Sequence, residues 1–88
     1  MNQKKEPYFF DGTVGTTTQA KVWDFDSIWI SNDSVNDLFY SINGSTFQKL
    51  MKGEWIQMDN FAEGRNFRYY ASGVNTSIRF SLWEQKAR

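Results

Sequence analysis

Short runs of alternating apolar and polar residues cover most of this chain, and turn-forming residues separate the runs. In residues 27–31, for example, Ile28 and Ile30 fall on one side of an extended backbone and Trp29 falls on the other. An Asn-Gly pair at 43–44 lies between two such runs, and this pair is typical of a tight β-hairpin because both turn residues need positive φ. The pattern predicts antiparallel strands, and no segment shows a convincing helical period.

Seven or eight runs have the composition of strands, and their spacing of about 8–12 residues favours an all-β sandwich or barrel. The runs are residues 8–10, 13–23, 27–31, 37–43, 47–51, 55–58, 66–71 and 78–83, and an Asp-Phe-Asp segment at 24–26 is predicted as a turn. We expect one β domain over residues 8–84. An N-terminal arm, residues 1–7, and a C-terminal tail, residues 85–88, are expected to flank it.

The inward-facing side chains of these runs predict the hydrophobic core. The predicted core comprises Val22, Ile28, Ile30, Leu38, Tyr40, Ile42, Phe47, Leu50, Ile56, Met58, Phe61, Phe67, Tyr69, Ile78, Phe80 and Leu82. A chain of 88 residues forms one domain and buries only about 60–65% of its unfolded surface. The chain has no cysteine for disulfides and no histidine for metal binding, so we expect stabilisation by homo-oligomerisation or incorporation into a larger assembly.

The residue types present argue against an enzyme. Without Cys or His, the usual pairs of nucleophile and base are missing, and the carboxylates of Asp24 and Asp26 lie in a polar turn that would not raise a pKa. Asp24, Asp26, Asn32 and Asp33 are the weak candidates for a calcium site, because their oxygens suit that ion. Turns use the same residues for local hydrogen bonds, so we expect no metal and no cofactor.

Charge and hydropathy limit the possible partners and the location. The formal net charge is zero, which argues against a general nucleic-acid binder. No apolar run reaches the roughly 18 residues of a membrane span, and no apolar segment follows the basic residues near Met1. We therefore expect a protein made and retained in a cytoplasm or released from it by lysis, with no membrane partner.

Several large aromatic side chains fall on the strand faces opposite the predicted core. Together with two nearby arginines, they form the set of interface candidates: Trp29, Phe39, Trp55, Arg68, Tyr70, Arg79 and Trp83. Trp, Tyr and Arg are enriched where proteins bind one another, so the set predicts a protein–protein surface. The competing interpretation is a flat aromatic platform for sugar rings, as in carbohydrate-binding modules.

Residues 28–82 resemble a family of small virion proteins of tailed bacteriophages. The shared motifs are Trp-Ile-Ser-Asn-Asp at 29–33, Asp-Leu-Phe-Tyr-Ser-Ile-Asn-Gly at 37–44, Lys-Gly-Glu at 52–54 with Ile56, and Phe-Arg-Tyr-Tyr-Ala-Ser-Gly at 67–73. A final apolar strand follows, and about two-thirds of the chain is covered. The resemblance implies a jelly-roll-like β-sandwich, a structural role on capsids, tails or baseplates, and homo-oligomers. It implies no catalytic residues.

Three functional hypotheses follow. The first is a non-enzymatic bacteriophage virion protein, made in the host bacterial cytoplasm, that binds capsid or tail subunits as a head decoration or tail accessory module. The alternative is a carbohydrate-binding module that recognises surface glycans through its exposed aromatic residues. The third is a small host-interaction protein that inhibits a bacterial target.

Overall fold

A computed structural model of the chain describes residues 3–21, 25–59 and 64–87. All of its regular structure is β, as the alternating pattern predicts. Its eight strands are β1 (Gln3–Val14), β2 (Gln19–Lys21), β3 (Phe25–Asn32), β4 (Leu38–Ile42), β5 (Gln48–Leu50), β6 (Trp55–Met58), β7 (Phe67–Ala71) and β8 (Thr76–Ala87). They form two antiparallel sheets of four strands each, so the expected small β-sandwich is confirmed.

The connectivity is that of a jelly roll. Strands pair as β1 with β8, β2 with β7, β3 with β6 and β4 with β5, so the chain is one long hairpin folded over on itself. Additional pairing of β3 with β8 and of β4 with β7 completes two sheets. Sheet I has the order β1-β8-β3-β6, and sheet II has the order β2-β7-β4-β5. Two four-stranded sheets related in this way define the jelly-roll sandwich.

The core lies between the two sheets and is mostly aromatic at its centre. Phe67 from sheet II meets Phe80 from sheet I edge-on, with ring centroids 4.9 Å apart. The Phe10 ring stacks on the Phe80 ring, with centroids 5.0 Å apart. Both Phe67 and Phe80 are fully buried, and each such side chain contributes on the order of 1.5–3 kcal/mol relative to an exposed one. Large rings allow a short chain to bury enough apolar area.

Most of the predicted core is confirmed. Nine of its members are buried: Ile28, Ile30, Leu38, Leu50, Phe67, Tyr69, Ile78, Phe80 and Leu82. Tyr40, Ile42, Ile56 and Met58 are partly buried and pack against these nine. Val22 and Phe61 lie outside the described residues. The structure adds Val14, Phe25 and Ala71 to the buried set.

Phe47 was wrongly predicted to be inward. The Asn-Gly turn forms as expected, with φ of 56° at Asn43 and 78° at Gly44. However, β5 begins at Gln48, which pairs with Tyr40. Phe47 therefore lies opposite Ser41, on the face of sheet II that points away from the core. The centre of its ring lies 5.0 Å from that of Tyr70 on this outer face. A straight strand cannot point residues 47 and 50 to the same face, because their separation is odd.

The prediction of a turn at residues 24–26 was wrong at Phe25, which begins β3 and is fully buried. The pairing of β3 with β8 shifts between Phe25 and Ser27, so Asp26 is an extra residue in the ladder. This β-bulge reverses the facing of the preceding residue and points Phe25 inward. Phe25 also forms two backbone hydrogen bonds of 2.7 Å with Gly64.

The two chain ends were predicted as an arm and a tail, but the described parts of both are strand. Gln3 pairs with Ala87, and the ladder continues without interruption to Val14 and Thr76. The neighbouring strand β3 ends its pairing with β8 at Phe25 and Glu84. Residues 3–5 and 85–87 therefore form a two-stranded ribbon that extends past the described end of β3.

Candidate binding surfaces

Among the described residues, the exposed aromatic side chains Phe9, Trp55 and Trp83 all belong to strands of sheet I. In one row across the strands, Phe9 of β1 lies beside Ser81 of β8, which lies beside Trp29 of β3 and then Gln57 of β6. Trp83 lies one row away on β8, next to Ser27. Strand alternation fixes these positions, because each of them is offset by one residue from a core side chain.

Two shallow clefts flank Trp29 on this face. The first has a volume of about 120 Å³ and the second about 390 Å³. Ser27, Ile28, Trp29, Gln57, Asp59, Ser81 and Trp83 line the first, and Phe9, Phe10, Asp11, Trp29, Arg79, Phe80 and Ser81 line the second. Ser81 lines both, and its small side chain leaves room between the larger aromatic groups. The clefts therefore combine aromatic walls with hydroxyl, amide, carboxylate and guanidinium groups.

Arg79 is held in place beside these clefts. Its Nε donates a hydrogen bond of 2.6 Å to one carboxylate oxygen of Asp33, and a second guanidinium nitrogen donates one of 3.1 Å to the other. The same guanidinium lies 5.5 Å from the centre of the Trp29 ring, within the range of a cation–π contact. The hydrogen bonds from Arg79 keep the pKa of the Asp33 carboxyl below its ordinary value.

A groove lies at the edge of the sandwich where β5 and β6 end the two sheets. Its volume is about 420 Å³, and its lining comprises Lys49, Leu50, Gly53, Glu54, Trp55 and Ile56. We call it the edge groove. Trp55 is 61% exposed beside it, and Met51, in the turn that joins the two strands, is 51% exposed. The Glu54 carboxylate accepts a hydrogen bond of 2.6 Å from the Met51 amide and so orders this turn.

The outer face of sheet II has a different character, because its aromatic residues cover one another. Phe39 stacks on Tyr70 with ring centroids 4.9 Å apart, and Phe47 meets the same tyrosine edge-on. The guanidinium of Arg68 lies 5.6 Å from the centre of the Phe47 ring. All four side chains are half-buried. By packing against one another, these side chains cover part of their apolar surface within the monomer.

The predicted interface set is therefore divided between two opposite faces. Trp29, Trp55, Trp83 and Arg79 lie on sheet I, whereas Phe39, Tyr70 and Arg68 lie on sheet II. The sequence-based set missed Phe9, which is 74% exposed. Phe9 stands in the Tyr-Phe-Phe run at 8–10, and the alternation with Tyr8 and Phe10 was the signal that could have placed it outward.

The weak metal candidates do not form a cluster in the described part of the chain. Asn32 is fully buried, and its side-chain amide donates hydrogen bonds of 2.8 Å to the carbonyls of Asn36 and Leu50. Asp33 is engaged by Arg79, Asp26 belongs to the bulge of β3, and Asp24 lies outside the described residues. Among the residues that are described, no group of three or more His, Cys, Asp or Glu side chains could hold a metal ion.

In the described part of the chain, an ion pair lies between the two sheets. Lys21 of β2 and Glu84 of β8 approach to 2.5 Å, and both side chains are nearly buried. The ammonium of Lys21 also lies 4.0 Å from the centre of the Tyr8 ring. Because β2 belongs to sheet II and β8 to sheet I, this pair ties the two sheets together near the ribbon.

Comparison with known proteins adds no family to these observations. The sequence matches no protein-family model and no curated protein. Within the described segments, no helix has the length and hydrophobicity to cross a membrane.

Proposed function

We propose that the protein is a non-enzymatic structural component of a bacteriophage particle, a decoration or accessory module that attaches to capsid or tail subunits and to copies of itself. The jelly-roll topology agrees with this role, since viral capsid proteins use the same fold. Lectins and enzymes also use it, so the fold alone carries little weight. The resemblance of residues 28–82 to small virion proteins adds to the case.

The observation that carries the proposal is the exposed apolar surface at the edge groove. Trp55 and Met51 are both more than half exposed there. Exposed apolar patches on small domains mark sites of interaction. The two strands beside them, β5 and β6, are the terminal strands of the two sheets in the described part of the chain, so each offers a strand edge next to the apolar side chains. A second protein chain can use both features at once.

Light scattering across a concentration series tests self-association. We expect a defined oligomer, and we expect Trp55→Ala to weaken association by about 2 kcal/mol, or roughly thirtyfold in dissociation constant, because exposed tryptophans are frequent hot spots. Phe9→Ala is the matched control, since Phe9 is 74% exposed on β1, at the other end of sheet I from β6. A wild-type monomer at all concentrations would contradict self-association.

Localisation to particles tests the virion role separately. An antibody against the protein should detect it in gradient-purified phage particles induced from the bacterium that carries its gene. Detection only among the unassembled proteins at the top of the gradient would contradict the proposal, whatever the oligomeric state.

A further inference from the structure

We propose that the two clefts beside Trp29 on the outer face of sheet I form a binding site for an uncharged or amino-bearing oligosaccharide. This activity goes beyond attachment to a particle, and it uses a different part of the surface from the edge groove.

The shape of the site suits ring-shaped ligands. Phe9 and Trp29 stand on either side of Ser81 in one row, and Trp83 follows Ser81 on β8 after one intervening residue. The two clefts share Trp29 and Ser81, so they adjoin each other across the strands. Aromatic faces carry partial negative charge and attract the polarised C–H groups of a sugar ring. Two adjoining clefts would accept neighbouring rings of one chain.

The polar groups of the clefts suit hydroxyl-rich ligands. Gln57 and Asp59 line the first cleft, and Asp11 and Arg79 line the second. The amide nitrogen of Gln57 lies 3.4 Å from both carboxylate oxygens of Asp59, a long separation that a ligand hydroxyl could replace with shorter bonds. A few polar groups placed among aromatic walls are the usual composition of a small-molecule site.

The arrangement is also ordered before any ligand arrives. The two hydrogen bonds from Arg79 to Asp33 fix the guanidinium next to the Trp29 ring. In addition, Ser31 donates a hydrogen bond of 2.8 Å to Asp33. Groups held in this way lose little conformational entropy on binding.

The charge of the site selects among oligosaccharides. Among the described residues that line the clefts, the carboxylates are those of Asp11 and Asp59, and the cation is Arg79, which is paired with Asp33 and lies opposite Asp11. This excess of carboxylates repels sulfated, phosphorylated and uronic-acid chains. It leaves uncharged sugars unaffected and favours amino sugars. An apolar protein surface is the competing occupant, but it would take the ionised carboxylates of Asp11 and Asp59 out of water at a cost in free energy.

Calorimetric titration of the full chain tests the inference. The probes are uncharged tetrasaccharides of glucose, galactose, mannose and N-acetylglucosamine, the cationic tetramer of glucosamine, and an anionic hyaluronan tetrasaccharide. We expect saturable binding of at least one uncharged or cationic probe, and binding of the anionic probe that is weaker by about tenfold or more. Failure of every uncharged and cationic probe to bind, or preference for hyaluronan, would overturn the proposal.

Ser81→Gln tests where the ligand binds, because Ser81 lines both clefts and the longer side chain would project into the space that they share. Ser77→Gln is the matched control on the same strand and the same face, four residues away. We expect Ser81→Gln to weaken binding by about tenfold or more and Ser77→Gln to leave it unchanged. Trp83→Ala, at a position that is 46% exposed, is the second variant if Ser81→Gln fails to fold.

The outcome also separates sugar binding from subunit contact. Trp55→Ala should retain oligosaccharide binding, since Trp55 lines neither cleft. If Ser81→Gln and Trp83→Ala lower the oligomer mass and have no effect on any sugar, the clefts are a protein interface and the proposal is wrong. If only Trp55→Ala loses self-association, the result supports the edge groove as the subunit contact and leaves sugar binding at the clefts in place.

Discussion

At the scale of single residues, Asn32 has the most demanding position in the fold. Its amide nitrogen donates to two backbone carbonyls, those of Asn36 and Leu50, and its oxygen accepts a hydrogen bond of 3.0 Å from the Ser34 amide. It therefore joins the end of β3, the following loop and the end of β5. The side-chain oxygen of Asn32 thus accepts a local backbone hydrogen bond, which is a structural role that Asn has in many turns.

We predict that Asn32→Ala lowers the free energy of unfolding by about 2–3 kcal/mol, because it leaves buried carbonyl groups without donors. Urea denaturation followed by circular dichroism measures the effect. Gln48→Ala, an exposed polar change on β5, should stay within about 0.5 kcal/mol of wild type. Equal effects of the two substitutions would show that the Asn32 hydrogen bonds contribute little.

At the scale of elements, the bulge in β3 depends on a close contact with Gly64. A methyl group on Gly64 would lie 2.5 Å from the nearest carbon of the Phe25 ring, which is fully buried. The two backbone hydrogen bonds between these residues leave little room for the chain to move apart. Glycine is required here because there is no space for a side chain. Backbone conformation is not the reason, since the φ of Gly64 is not positive.

We predict that Gly64→Ala destabilises the protein by about 1–3 kcal/mol through this overpacking. Gly15→Ala is the matched control, because a methyl group there would meet no atom within 4 Å and φ is not positive. The thermal midpoints of the two variants provide the comparison. A Gly64→Ala protein as stable as wild type would mean that Phe25 can change its position freely.

At the scale of the whole molecule, the fold depends on pairing between residues far apart in the sequence. The longest ladder joins β1 to β8, and the rings of Tyr8 and Phe10 from β1 lie 6.0 and 5.0 Å from that of Phe80. The ribbon beyond Phe25 and Glu84 has no third strand beside it in the described part of sheet I. The two halves of β1 therefore differ in their importance for stability.

We predict that a chain beginning at Glu6 has a free energy of unfolding within about 1 kcal/mol of the wild-type value, because the described residues that it loses belong to the ribbon. A chain beginning at Asp11 should fail to fold, because it also loses Tyr8 and Phe10 and a large part of the edge of sheet I. Circular dichroism and thermal melting of both truncations measure this difference. Folding of the shorter chain would show that β1 is dispensable for the core.

Much of the fold could be predicted from local pattern alone. The alternation in residues 27–31, 37–42, 55–58, 67–71 and 78–83 assigned strands and faces that agree with the structure. Phe47 lies on the face that regular alternation from Leu50 gives it, and its inward prediction was wrong because residues 47 and 50 are separated by an odd number. Phe25 could not be placed by alternation, because the bulge at 25–27 changes its phase. Such shifts depend on the partner strand, which local sequence does not identify.

The candidate surfaces were only partly predictable for the same reason. The alternation showed which aromatic side chains face away from the core, but it placed Trp29 and Phe39 in one set. Pairing decides that β3 belongs to sheet I and β4 to sheet II, so these residues lie on opposite sides of the molecule. It also brings Phe9 and Trp29, from distant segments, to either side of Ser81.

The sequence by itself therefore determined the fold class, the facing of most strand residues and the absence of cysteine and histidine chemistry, because these depend on composition and on a period of two. The tertiary structure decided the pairing of the chain ends, the jelly-roll order of the strands, the self-covered cluster on sheet II and the two clefts beside Trp29. These features require contacts between distant residues, and many strands of similar composition could satisfy the same local pattern. Packing of the whole chain selects one arrangement among them.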